Sequence, residues 1–156
     1  MAEEVTYLTP EGKEEMEQEL KRLQELDRPA LAQKLKEAVA MGDLKENADY
    51  HDTREKMSLM DGRIQRLEHI LRTAEVIDNA GSTDEVTLGC TVTIREDGYD
   101  DDEVYTIVGA AEANPREGKI SSKSPIGAAL MHRRKGDKVK VDTPDGKVKF
   151  KIVKIE

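Results

Sequence analysis

Across 156 residues, 33 acidic side chains outnumber 25 basic ones and leave a formal net charge of -8. That balance argues against a protein that holds free nucleic acid through its overall field, because phosphate binding draws on clustered Lys and Arg. Charged and hydrophobic residues each make up 37% and aromatic residues only 3%, a composition typical of long exposed helices and thin for a single compact core.

The length fits one ordinary domain or two small ones, and the charge distribution favours two. Residues 1–79 hold 12 Lys/Arg and 19 Asp/Glu, whereas residues 80–156 hold 13 and 14, so the first half carries the acid. Cys90 is the only cysteine, which excludes an intrachain disulfide or a cysteine zinc cluster and makes an intracellular home the simple reading. No basic segment leads into an apolar run at the amino terminus, and no stretch approaches the roughly 20 apolar residues of a membrane span. A soluble, cytoplasmic chain is expected.

Thr9-Pro10-Glu11 starts a helix, with a side-chain oxygen to cap free amides, proline at the first helical position and an acid in the first turn. Met16, Leu20 and Leu23, then Leu31, Leu35 and Ala38, recur by three and four along one seam, with a shift between the two sets. Pro29 falls in that shift and predicts a kink or a change of register rather than the end of the helix. A second seam runs through Tyr50, Thr53, Met57, Met60, Ile64, Leu67, Leu71 and Ala74, a heptad pattern over more than three repeats. Two such helices joined by a short turn satisfy each other as an antiparallel coiled coil, about 45 Å long at roughly 1.5 Å per residue.

The helical period fades over residues 76–82, where Asn, Gly and Ser mark a linker. Beyond it, Val86–Ile94, Glu103–Val108, Lys138–Asp142 and Val148–Ile155 read as strands. The last two alternate polar and apolar residues strictly, with Pro144-Asp145-Gly146 turning between them, and Ser124–Met131 reads as one short capped helix. The fold class is therefore α+β: residues 1–79 form a helical hairpin with an acidic tip near residues 42–50, and residues 80–156 form a small, mostly antiparallel sheet with one helix.

No catalytic triad suggests itself, since His51, His69 and His132 are scattered and no Ser or Cys has a base nearby in sequence. A metal site at His51 and Asp52 would need ligands one helical turn apart, and surface histidine is the simpler reading. The tip acids remain. Asp43 followed three residues later by Glu46 is patterned as a capping box, Asp43 capping the second helix and Glu46 reaching back to its amide, with Gly42 ending the first helix. Such a role leaves unexplained why a long rod should display its own turn.

The run Gly42-Asp43-Leu44-Lys45-Glu46-Asn47-Ala48-Asp49-Tyr50-His51, with Arg54-Glu55 and Gly62-Arg63-Ile64 after it, resembles the tip and second arm of the bacterial Gre transcript cleavage factors, GreA type. Leu8–Gly12, Ser124–Leu130, Gly136-Asp137 and Thr143–Gly146 resemble that family in the same order, so the likeness spans nearly the whole chain. It implies an FKBP-like second domain that docks on bacterial RNA polymerase and a coiled coil that passes down the polymerase's secondary channel. There Asp43 and Glu46 match the family's catalytic pair, which helps the polymerase cleave the 3′ end of backtracked nascent RNA. The factor then has no active site of its own.

A shared Mg²⁺ is implied, Asp43 mainly holding it and Glu46 holding it or the attacking water, which accords with carboxylate chemistry. Asn47, Asp49 and Tyr50 are supporting tip residues. Arg54, Lys56, Arg63 and Arg66 are candidates to face RNA, with a solvated, ion-paired helix face as the alternative. Ser124, Pro125, Ile126 and Leu130 are candidates for polymerase docking or for the core beneath it. The resemblance also implies the family's designation as a DNA-binding transcription regulator. The self-satisfying antiparallel seam suggests a monomer. Two rivals stand beside this reading: a Gre-like homologue that occupies the channel and inhibits without cleaving, and a prolyl isomerase, for which Tyr99, Tyr105 and Phe150 are few aromatics to line a pocket.

Overall fold

The structure, a computed structural model, describes residues 5–43, 45–78 and 84–156; Leu44 at the tip and residues 79–82 of the expected linker lie outside them. The chain forms two compact units. One is Lys13–Thr73, and the other joins the segment ending at Gly12 to the segment beginning at Ala74. The start of the chain thus groups with the carboxy-terminal half, and the reason is a strand pair. β1 (Tyr7–Leu8) lies parallel to β2 (Glu75–Val76), with Leu8 opposite Val76. The helical period indeed fades where expected, but into β2 rather than directly into linker.

Helix α1 (Pro10–Arg22) begins as its sequence requires: the Gly12 amide donates to Thr9 Oγ1 at 3.1 Å. It continues into α2 (Arg28–Ala40) through a π-helical turn, Leu23–Asp27. Eight residues separate Leu23 from Leu31 where an unbroken heptad seam needs seven, and the wider turn absorbs the extra one. Its hydrogen bond runs from the Arg28 amide five residues back to the Leu23 carbonyl, just ahead of Pro29, which has no amide hydrogen to donate. Asp27 consequently takes the half-buried seam position between the two leucines, while Leu26 is left 66% exposed. Met16 and Ala38 are buried, and Leu20, Leu23, Leu31 and Leu35 are half-buried.

The second arm is one helix, α3 (Ala48–Thr73), whose 26 residues span about 39 Å. Thr53, Ile64, Leu67 and Ile70 are its buried residues, flanked by half-buried Tyr50, Met57, Met60 and Leu71. Ile70 joins the seam beside Leu71, and Ala74 lies one residue past the helix end. Polar pairs bridge the arms beside the seam. Arg63 grips Glu19 with two bonds of 2.8 Å, Arg28 reaches Asp61 at 2.7 and 3.5 Å, and Gln24 donates to Glu68 at 2.8 Å. The Arg63 bond holds the Glu19 carboxyl below its usual range, and Asp61 raises the pKa of Arg28.

The second unit is built on a five-stranded sheet in the order β5-β4-β3-β7-β6. β3 (Thr91–Glu96), β4 (Asp102–Val108), β6 (Lys138–Thr143) and β7 (Gly146–Ile155) pair antiparallel, while the short β5 (Lys119–Ser121) lies parallel to β4. The expected strand from Val86 to Ile94 begins only at Thr91. Val86, Leu88 and Cys90 are buried, but the Cys90 amide turns back to the Thr87 carbonyl and Gly89 has φ +92. Alternation is not strict in β7 either. Opposite the Thr93–Ile94 step the register skips Val153, a bulge that brings Ile155 back to the buried face after Phe150 and Ile152.

Helix α4 (Pro125–Leu130) is capped by Ser124, whose Oγ accepts from the Gly127 amide at 3.1 Å and donates to the Ser121 carbonyl at 2.7 Å. Its Leu130 enters the core with Val92, Ile94, Ile107, Val139, Val141, Phe150 and Ile152. Gly127 is required there, because a Cβ would stand 2.0 Å from the Ser121 carbonyl oxygen. Among the described residues, no helix is long and apolar enough to cross a membrane.

Candidate functional site

The hairpin turn is closed by Asn47, not by Asp43. Asn47 Oδ1 accepts from the Tyr50 amide at 3.1 Å, and Asn47 Nδ2 donates to the Ala38 carbonyl at 2.7 Å. The first of these is the amino-terminal cap of α3, whose first backbone bond runs from the His51 amide to the Asn47 carbonyl. The second goes to a carbonyl in the last turn of α2 that also accepts from the Met41 amide at 3.2 Å. One side chain therefore ties both arms at the turn. Gly42 has φ +128, a conformation that glycine alone adopts without strain, so its place after α2 is as the sequence predicts.

The capping box does not form. Asp43 Oδ1 accepts from the Lys45 amide at 3.0 Å, a local Asx turn four residues ahead of the true cap. Glu46 accepts no hydrogen bond from any described residue, and both acids are exposed. The physical reason is position: α3 begins at Ala48, so the free amides that need an acceptor lie one turn beyond the reach assigned to Asp43. Neither carboxyl caps α3, and apart from the one Asp43 oxygen bonded to the Lys45 amide their oxygens are left exposed.

Asp49 is exposed in the first turn of α3, where a negative charge favours the helix dipole. Tyr50 is half-buried and meets the His51 ring edge-on, centroids 5.4 Å apart. Asp52 pairs with Lys56 at 2.9 Å, a contact that raises the lysine's pKa. Among the described residues, no three His, Cys, Asp or Glu side chains converge as a metal cluster. Of the four basic residues on the second arm, Arg63 is committed to Glu19 and Lys56 to Asp52. Arg54 and Arg66 are exposed and carry no ion pair with a described residue.

In the second unit the four docking candidates separate. Leu130 is fully buried in the core, Ser124 uses its hydroxyl as a cap, Ile126 is half-buried, and Pro125 is exposed. The three aromatics do not assemble into one apolar pocket. Phe150 is buried in the core and Tyr99 is exposed. Tyr105, half-buried, donates to Glu103 at 2.8 Å, and burial followed by that carboxylate raises its pKa.

The fold and the turn together define a class: a helical hairpin that presents two exposed carboxylates, neither of them the helix cap, carried by a chain with a small sheet unit. Residues 6–76 match the family described as "Transcription elongation factor, N-terminal", and residues 81–156 match "Transcription elongation factor, GreA/GreB, C-term". The chain belongs to the GreA/GreB family of transcription elongation factors. It is 45% identical over 156 residues to transcription elongation factor GreA of Chloroflexus aggregans, covering 99% of each chain. It is 43% identical, with the same coverage, to the protein of that name from Bacillus subtilis. Among solved structures it is similar to the GreA factor homolog 1 protein of Thermus thermophilus, at 30% identity over 98% of this chain and 99% of that one, with a TM-score of 0.46. The full-length likeness to GreA proteins does not favour the non-cleaving alternative.

Proposed function

We propose that this chain donates its hairpin tip to RNA polymerase. The tip enters through the polymerase's secondary channel and stimulates cleavage of the 3′ end of backtracked nascent RNA, which returns an arrested complex to synthesis. The chain has no active site of its own in this reading. The observation that carries it is the pair of exposed carboxylates, Asp43 and Glu46, at a turn whose helix cap is supplied by Asn47, in a member of the GreA/GreB family. A turn that needed these acids only to start a helix would direct their oxygens to the first amides of α3, whereas Glu46 gives none and Asp43 gives one to Lys45, ahead of the helix.

The donor set suits a shared Mg²⁺. Carboxylate oxygens are hard donors, and Mg²⁺ characteristically takes one or two of them while keeping several waters. Asp43 mainly holds the ion and Glu46 holds it or the attacking water, with the remaining ligands coming from the polymerase. When bound, the ion supplies charge neutralisation at the phosphate and a more acidic water. The tip's own work is to orient: a Glu46 oxygen accepts a hydrogen bond from the water and takes its proton as the oxygen bonds to phosphorus. The bond from phosphorus to the 3′ oxygen breaks in the same displacement, and that oxygen takes a proton from solvent water to become the new 3′ hydroxyl. Asn47 and the ion pairs across the arms hold the backbone from which the acids project.

The test is a halted, backtracked transcription complex incubated with the protein and Mg²⁺. Short 3′-terminal RNA fragments are expected, and Asp43→Ala with Glu46→Ala should slow their release by roughly 100-fold or more while the variant still competes with the wild type for the polymerase. Equal cleavage by the double variant would remove these acids from the mechanism.

A further inference from the structure

We propose that the outward face of β6 and β7 is a binding track for single-stranded nucleic acid, held at its phosphates by Lys138, Lys140, Lys149 and Lys151 and bordered by Tyr99 as a surface for base stacking. The strand register sets Lys138 opposite Lys151 and Lys140 opposite Lys149, so the four ammonium groups share one face in two facing pairs. All four are exposed, and none forms an ion pair with a described residue. Of the neighbouring cations, Lys154 pairs with Glu156 and Arg95, across from Lys151 on β3, pairs with Asp102 at 2.7 Å, while on the same face Lys147 stands opposite Asp142.

The overall charge hides this face. Residues 133–156 hold 9 Lys/Arg against 4 Asp/Glu, whereas residues 80–132 hold 4 against 10. Like charges directly opposite on a sheet are destabilising, so the arrangement opposes folding and requires another cause. Lysines on an edge strand discourage pairing with other chains, which accounts for β6. It does not account for Lys149 and Lys151, because β7 lies inside the sheet between β3 and β6.

The lysines also choose the occupant. Protein interfaces are depleted in Lys and centre on apolar or aromatic groups, whereas phosphate backbones are bound by clustered cations with release of counterions. A depression of about 200 Å³ adjoins the track, lined by Lys138, Lys149, Lys151 and Tyr99. Tyr99 is 62% exposed, and an aromatic ring beside a cationic track is how sequence-tolerant single-strand binders hold unpaired bases. Glu96 and Asp97 border the same depression, repel phosphate there and mark the end of the track.

The site stands apart from the tip chemistry. Fluorescence anisotropy of the full chain with a labelled 12-nucleotide single-stranded RNA, titrated at several salt concentrations, tests it. A dissociation constant on the order of 10⁻⁵ M is expected at physiological salt, with a slope of log K against log salt of about -3 for four phosphates. Lys140→Thr with Lys149→Thr, changes that suit a strand and relieve repulsion, should roughly halve that slope without lowering the melting temperature. Tyr99→Ala should weaken single-strand binding by about 5- to 100-fold with the slope unchanged. Asp43→Ala with Glu46→Ala should bind the RNA as the wild type does, so this proposal and the cleavage reading fail separately. No binding at low salt, an unchanged slope in the lysine variant, tighter binding of a matched duplex, or tighter binding of a polyglutamate peptide would each overturn it.

Discussion

A primary amide both accepts and donates, and Asn47 uses both capacities across a gap of nine residues, capping α3 with its oxygen while its nitrogen holds the Ala38 carbonyl. That dual use separates it from an ordinary cap, for which Asp and Asn serve about equally. Asn47→Asp keeps the acceptor, loses the donor and sets a carboxylate against a carbonyl oxygen. We expect it to cost about 1–3 kcal/mol in urea denaturation, in a setting where cap preference alone predicts no change. Asn47→Ala should lose about 1–2 kcal/mol for the cap alone. A neutral Asp variant would show that the bond to the first arm contributes nothing. The same chemistry explains why neither Asp43 nor Glu46 is needed as the cap of α3: a neutral amide supplies it, Glu46 accepts from no described residue, and Asp43 makes only a local bond to the Lys45 amide.

At the scale of elements, the one-residue excess between Leu23 and Leu31 and the π turn at Leu23–Asp27 are the same fact seen twice. Deleting Leu26, which is largely exposed, restores a seven-residue spacing, and the unfolding free energy should change by only about 0.5 kcal/mol, as for a surface substitution. Deleting the exposed Gln33 instead rotates Leu35 and Ala38 about 100° off the seam and should cost about 2 kcal/mol or more. Equal losses from the two deletions would mean that the π turn is not the seat of the excess. The helical seams were legible because apolar periodicity over many turns reports burial directly, and the caps at Thr9 and Ser124 because their side chains sit beside a proline at the helix start. β1, β2 and β5 were not legible, since two or three residues carry no period. Buried Val86, Leu88 and Cys90 show that alternation signals burial even where the chain turns. At the site, the exposed acids were legible, but the cap was not, because Asp43 and Asn47 are equally acceptable acceptors until the start of α3 is fixed.

Within the sheet unit, the start of the chain is held by residues more than 100 positions apart. The Glu112 carboxylate accepts from the Thr9 amide at 2.8 Å and from Thr9 Oγ1 at 2.5 Å, while Thr9 Oγ1 itself caps α1 through the Gly12 amide. Close by, a Cβ at Gly109 would stand 1.8 Å from the Tyr7 carbonyl oxygen, so β1 seats against bare backbone. Gly12 completes the arrangement: the three atoms nearest to a Cβ placed there all belong to Glu112, the closest at 1.6 Å. Alanine is the better helix former by up to about 1 kcal/mol, yet Gly12→Ala must drive the Glu112 side chain away from Thr9. We expect the substitution to destabilise by about 1–2 kcal/mol through the lost charged hydrogen bonds. In a Glu112→Ala background the obstruction and the bonds are both absent, and the same substitution should stabilise. A double-mutant cycle by thermal or urea unfolding reads this reversal of sign. If Gly12→Ala has the same effect in both backgrounds, the glycine is not there to admit Glu112, and the link between the start of α1 and the sheet unit rests on β1 alone.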